Sequence, residues 1–206
     1  MLCLSSSLAP PSVFNSSVSL PFAFSNVGQE LETYVGNECF LRFFLKAVVK
    51  QKWVRNYVTE QEVCVYNCSK EQIVKAPSKQ TIGFKEDLSL EVEVEDTCLP
   101  LGKDILGKLT FNALKVELKS VVLELVRVET FYHGSFTSQS ESVVLSSELS
   151  PGSNFRMPTN SARVTPSYSC INGKVEVEYF LNFVIEDTHK NQYFKKQPVV
   201  LRRTHL

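Results

Sequence analysis

Glycine is scarce in this chain of 206 residues, occurring 8 times. Loops that cradle phosphate are built from closely spaced glycines, and neither a G-x-G-x-x-G fingerprint nor a Walker loop is present. An excess of either charge is also lacking, since 22 basic residues offset 22 acidic ones. A nucleic-acid binder gathers basic excess on one face, so this balance argues against that class. No run of about 18 uncharged apolar residues occurs, which excludes a membrane-spanning helix. The most apolar stretch, Phe40 to Val49, is broken by Arg42 and Lys46. Met1 to Ser7 carries neither a basic flank nor a long apolar run, so no signal peptide is expected. The six cysteines are then expected to stay unpaired in a reducing compartment.

Catalytic and metal-binding patterns are missing as well. There is no G-x-S-x-G elbow to present a nucleophilic serine. His133, His189 and His205 lie in or beside turns and at the terminus, where exposure explains them without chemistry. Cys64 and Cys68 have a spacing loosely compatible with half of a zinc site, but a structural site needs four ligands and the other cysteines are isolated. Glu91, Glu93 and Glu95 alternate along one run, which places them together on the solvated face of a strand. No catalytic residue, no metal site and no cofactor is therefore assigned.

What the sequence does have is period-two alternation, the mark of half-buried strands. Val18, Leu20, Phe22 and Phe24 alternate around Pro21, predicting an edge strand. Leu41 to Val49 and Tyr57 to Tyr66 predict a hairpin turning at Gln51 to Arg55. Cys68 to Gln80 is polar, with Pro77 and no sustained period, and predicts a linker. Strands resume at Leu88 to Val94, Leu109 to Leu118 and Val121 to Val128, followed by a serine-rich loop at His133 to Ser142. Ser150, Pro151 and Gly152 signal a turn, and Asn172-Gly173 a tight hairpin. Val175 to Ile185 is the cleanest strand, and Tyr193 to Leu201 closes a last hairpin after a turn at Asp187 to Asn191. Short, regularly spaced strands without helices indicate β-sandwiches. Such a chain without a reaction site works through sheet edges and loops, where an open edge accepts an extended peptide.

Several segments in collinear order resemble one family. They are Glu32-Thr33-Tyr34-Val35-Gly36-Asn37 with Leu41-Arg42-Phe43-Phe44-Leu45, and Val92-Glu93-Val94-Glu95-Asp96-Thr97-Cys98-Leu99. Arg127-Val128-Glu129-Thr130, Tyr179-Phe180-Leu181-Asn182-Phe183, and Tyr193-Phe194-Lys195-Lys196-Gln197 with Val199-Val200-Leu201-Arg202-Arg203 complete the set. Together they are similar to the vacuolar protein sorting-associated protein 26 family, the arrestin-like subunits of retromer. The resemblance implies an all-β, arrestin-like fold of two β-sandwich domains. Residues 1–68 would form the first, which is incomplete, with about three strands where such a sandwich needs roughly seven. Residues 69–80 would be the linker and 81–206 the second sandwich.

It further implies a non-enzymatic adaptor, cytoplasmic and peripheral on endosomal membranes. Its partners would be an α-solenoid scaffold (vacuolar protein sorting-associated protein 35), phox-homology sorting nexins and the cytoplasmic tails of membrane cargo. Scaffold contact is expected at Glu148, Leu149, Ser150, Phe155 and Met157, with Leu149 and Phe155 as exposed apolar anchors. Cargo contact is expected at Leu88, Leu90, Val92 and Phe194. Leu123 to Thr130 looks somewhat closer to the subunit of the related retriever assembly, whereas the terminal hairpin favours the retromer branch. A generic α-arrestin would carry proline-tyrosine motifs, and none occurs here.

Overall fold

Alternation at positions 88–94 and 175–185 has its physical counterpart in two sheets packed face to face. The structure is a computed structural model that describes residues 4–10, 12, 16–24, 32–37, 40–68, 74–84, 88–150, 152–161, 164–171 and 175–204. Among them there is no helix and there are fourteen strands. The first five are β1 (Tyr34–Val35), β2 (Phe40–Leu41), β3 (Phe43–Val49), β4 (Tyr57–Val63) and β5 (Ser78–Phe84). Then follow β6 (Leu88–Val94), β7 (Cys98–Pro100), β8 (Ile105–Leu114), β9 (Leu118–His133) and β10 (Phe136–Glu148). The last four are β11 (Asn154–Met157), β12 (Tyr168–Ile171), β13 (Val175–Asp187) and β14 (Gln192–Arg202).

Contacts divide the chain into Met1–Glu30 and Leu31–Leu206. In the first unit, residues 16–24 form no strand, contrary to the expectation for Val18 to Phe24. A strand needs a paired neighbour, and Pro21 withholds an N–H from any ladder. In the second unit, the larger sheet runs β10-β9-β13-β14-β7, with β12 also on β13, and the smaller runs β11-β8-β6-β5. Leu90, Val92 and Leu109 of the smaller sheet share one core with Leu123, Leu125, Leu181 and Phe183 of the larger. The rings of Phe155 and Phe183 meet edge-on across the layers, 5.8 Å apart. The described residues thus form an all-β, arrestin-like architecture.

Two expected boundaries move. Strand β5 begins at Ser78, inside the stretch read as a linker, because Ser78, Lys79 and Gln80 pair with Val94, Glu93 and Val92. The serine-rich loop expected at 133–142 is instead a tight turn at Gly134, whose φ is 61°, followed by β10, which pairs with β9 from His133 back to Val122. Serine and glutamine have low strand preference, but pairing with a long neighbour overrides it. Hairpin β3–β4 forms as expected, with Trp53 at its tip 92% exposed.

The Asp187 turn illustrates how a polar side chain shapes a hairpin. Its carboxylate accepts the backbone N–H and the side-chain amide of Asn191, each at 2.8 Å, and the Tyr193 hydroxyl at 3.3 Å. Chiefly the Asn191 side-chain bond holds the Asp187 carboxyl below the usual carboxylate range. A depressed folded value means stability that is present above the ordinary carboxylate pKa and lost as pH falls through the folded value. Asp187→Asn is therefore expected to destabilise at pH 7, with the gap to wild type closing below about pH 4. Urea melts across that range test it, and a gap independent of pH would refute the assignment.

Candidate functional site

The segment after Leu31 is tied to the sandwich by two buried carboxylates. Arg127 and Glu129 are two apart on β9, so both project inward where Leu123 and Leu125 pack further along the same face. Arg127 Nε lies 3.0 Å from Glu129 Oε1. The Tyr34 hydroxyl donates to the same oxygen at 2.6 Å, and the Asn37 backbone N–H donates to both carboxylate oxygens. Arg127 Nη2 in turn donates to Asn37 Oδ1 at 3.2 Å. A Cβ on Gly36 would stand 2.5 Å from Glu129 Oε1, so only glycine admits this approach.

The second carboxylate is Glu32, which receives Arg203 Nε at 3.0 Å, Arg203 Nη2 at 3.3 Å and the Asn67 backbone N–H at 3.0 Å. The Arg203 guanidinium also covers the Tyr66 ring at 4.4 Å, a favourable cation–π stack. Between the two clusters the rings of Tyr34 and Tyr168 meet edge-on at 5.8 Å. Burial first, then the neighbouring carboxylates, Glu129 for Tyr34 and Glu32 for Tyr168, push both phenols far above their ordinary range. Both therefore stay neutral. Buried charge is costly unless paired, so these bonds hold the 32–37 segment in one register against β9.

The expected scaffold loop splits into an exposed and a buried half. It runs from the end of β10 in the larger sheet to β11 in the smaller, across one end of the sandwich. Glu148 and Ser150 are exposed, and Leu149 is half-buried with its N–H bonded to Val121 O at 2.8 Å. Ser153 closes the turn onto Ser150 O, and Gly152 takes a φ of 74°. Leu149, Glu148 and Ser150 border a cleft of about 400 Å³ shared with the start of β9. Phe155, only 4% exposed, and Met157 point into the core instead. Phe155 is thus not an exposed anchor: alternation along β11 turns it inward and Arg156 outward.

The expected cargo residues are likewise separated. Leu88, Leu90 and Val92 are fully buried, and β6 is paired on both sides, by β5 and β8. That strand has neither exposed side chains at these positions nor a free edge. Phe194 is exposed on the outward face of the larger sheet. Among the described residues the smaller sheet ends at β11 on one side and at β5 on the other, and β5 is tied to β14 where Ser78 and Gln80 bond to Gln197. The polar 78–80 stretch hid that strand in the sequence. His133 and His189 are exposed, and Cys64, Cys68 and Cys98 are free thiols. Among the described residues, no helix is long and apolar enough to cross a membrane.

Comparison with known proteins agrees with this architecture. The family model described as vacuolar protein sorting-associated protein 26 matches residues 1–190. Vacuolar protein sorting-associated protein 26 of Drosophila melanogaster is 27% identical over 208 residues, covering 98% of this chain and 43% of that protein. Vacuolar protein sorting-associated protein 26B of Homo sapiens is 28% identical, covering 95% of this chain and 60% of that protein. The Dictyostelium discoideum protein of the same family is 26% identical, covering 95% and 58%. The chain therefore spans roughly half the length of the relatives it matches.

Proposed function

The chain belongs to the vacuolar protein sorting-associated protein 26 family, and from that premise we propose that it is a non-enzymatic, retromer-type adaptor. In this reading it docks on an α-solenoid scaffold, works with sorting nexins, and helps select cytoplasmic tails of membrane cargo on endosomes. Residues 81–206 act as the docking sandwich, and residues 1–68 contribute part of a first sandwich joined through 69–80. The observation that carries the reading is the exposed turn between β10 and β11, where a half-buried leucine borders a cleft at one end of the sandwich. Contact there involves Glu148, Leu149 and Ser150, not Phe155 or Met157. Cargo tails add to the outer edge of β5, because main-chain donors and acceptors on an edge strand accept an extended peptide.

Titration of the scaffold with wild type, Leu149→Asp and Ser150→Arg tests the docking turn. A buried anchor contributes about 2 kcal/mol or more, so Leu149→Asp is expected to weaken binding roughly thirty-fold or more. Ser150→Arg, on an exposed residue, is expected to weaken binding while leaving the melting curve unchanged. Unchanged affinity in both variants would remove the turn as the contact. Binding to the retriever scaffold alone would move the chain to that branch.

A further inference from the structure

The outward face of a sandwich sheet ordinarily faces water, yet part of this one is buried. Strand register aligns Val143, Val126, Phe180 and Pro198 in one apolar row across β10, β9, β13 and β14. The next row is polar: Ser146, Glu124, Asn182 and Lys196. Lys196 nevertheless places its ammonium 2.7 and 2.8 Å from the two oxygens of Glu141, on β10, with β9 and β13 between them. Three strand spacings in a flat sheet amount to about 14 Å. Glu141 opposes Val128 whereas Lys196 shares the row of Glu124, which adds about 13 Å along the strands, more than the two side chains can span. The sheet must therefore coil so that its outward face is a trough, and the Lys196–Glu141 pair arches over it. Val126 is 1% exposed and Asn182 7% exposed on this face.

The trough has unmet chemistry. Asn182 Nδ2 donates to Glu124 Oε2 at 2.9 Å, but Asn182 Oδ1 has no hydrogen-bond partner among the described residues. A buried acceptor left without a donor is costly, so the site favours an incoming N–H. In the three rows level with Glu124, Val126 and Val128, three carboxylates, Glu124, Glu141 and Glu178, stand against one ammonium, Lys196. The arch is weak, because its side chains are 42% and 52% exposed and such pairs contribute little.

We propose that this trough is a docking site for an extended basic segment of a partner protein. A lysine or arginine of that segment displaces Lys196, donates to Asn182 Oδ1 and pairs with Glu124 and Glu141. Its neighbouring apolar side chains lie on the row formed by Val126 and Phe180, beside the exposed Val143. Lys196 acts as a built-in competitor for the same carboxylate.

The test is fluorescence anisotropy of the full chain with a labelled nine-residue peptide alternating arginine and valine, against one alternating glutamate and valine. The basic peptide is expected to bind at least ten-fold tighter than the acidic one. Lys196→Ala is expected to tighten it up to about five-fold, the scale of an exposed ion pair. Glu178→Lys, on an exposed residue, and Asn182→Leu are each expected to weaken it about ten-fold. Glu117→Lys, in the β8–β9 turn, is expected to change nothing. Equal binding of the two peptides, weaker binding by Lys196→Ala, or equal loss from Glu117→Lys and Glu178→Lys would each overturn the proposal.

Discussion

Glu129→Ala is expected to cost about 3–5 kcal/mol, because it strands Arg127 as a buried cation without its carboxylate. The side chain of Arg127 is 7% exposed and that of Glu129 1% exposed, so water cannot replace the lost partner. The Tyr34 hydroxyl and the Asn37 N–H lose their acceptor in the same step. For a fold stable by some 5–15 kcal/mol, this is a large share of the total. Removing both charges in Arg127→Met with Glu129→Leu is expected to restore much of the loss in the sandwich, since no lone charge remains. The 32–37 segment, however, stays unanchored in the double variant and is expected to lose hydrogen-exchange protection there. Urea melts followed by far-ultraviolet circular dichroism measure this. The single tryptophan, Trp53, is too exposed for its emission to report on the core. A Glu129→Ala variant within about 1 kcal/mol of wild type would contradict the pairing.

Phe155→Ala is expected to be of similar size. Its ring rests on Phe183 at 67° and lies so close to Gly107 that a Cβ there would stand 2.3 Å from Phe155 Cζ. Truncating a buried phenylalanine leaves a cavity that neighbours fill only partly, at about 3–5 kcal/mol. In a chain of this size that corresponds to a fall in Tm of roughly 6–20 °C. An exposed docking anchor would behave in the opposite way, leaving Tm unchanged while scaffold affinity falls. Thermal melts of Phe155→Ala beside Ser150→Arg distinguish the two, and an unchanged Tm would return Phe155 to the surface.

Legibility followed the covering of strand faces. β6 and β13 were readable because apolar residues occupy every second position along the face of each that packs in the core, so period two is clean. The 136–142 part of β10 was unreadable because Ser138, Ser140 and Ser142 lie at its inward-facing positions without an apolar signature, and only pairing with β9 makes it a strand. Val18 to Phe24 shows the reverse case, alternation without a partner. The turn signal at Ser150 to Gly152 drew Phe155 into an expected loop, although Phe155 and Met157 already alternate with Arg156. Near the candidate site, the turn beginning at Ser150 was legible as a turn, whereas Leu149, expected as an exposed anchor, is half-buried, and the buried pair Arg127 and Glu129 was seen only as a family signature. Two charges at alternate positions that continue the apolar face of Leu123 and Leu125 were the available signal.

Sequence by itself determined which stretches are extended, which of their faces is apolar, and which family the segments resemble. Those properties are local, since a period of two follows from the pleat of a single strand. Tertiary structure alone decided which strand lies at an edge, which carboxylates are buried, and that Lys196 reaches Glu141. Each of those depends on partners far apart in the chain, such as Tyr34 and Glu129, which are 95 residues apart. Alternation specifies a face but carries no record of the residue opposite it, so pairing, coil and burial of charge arise only when the layers close.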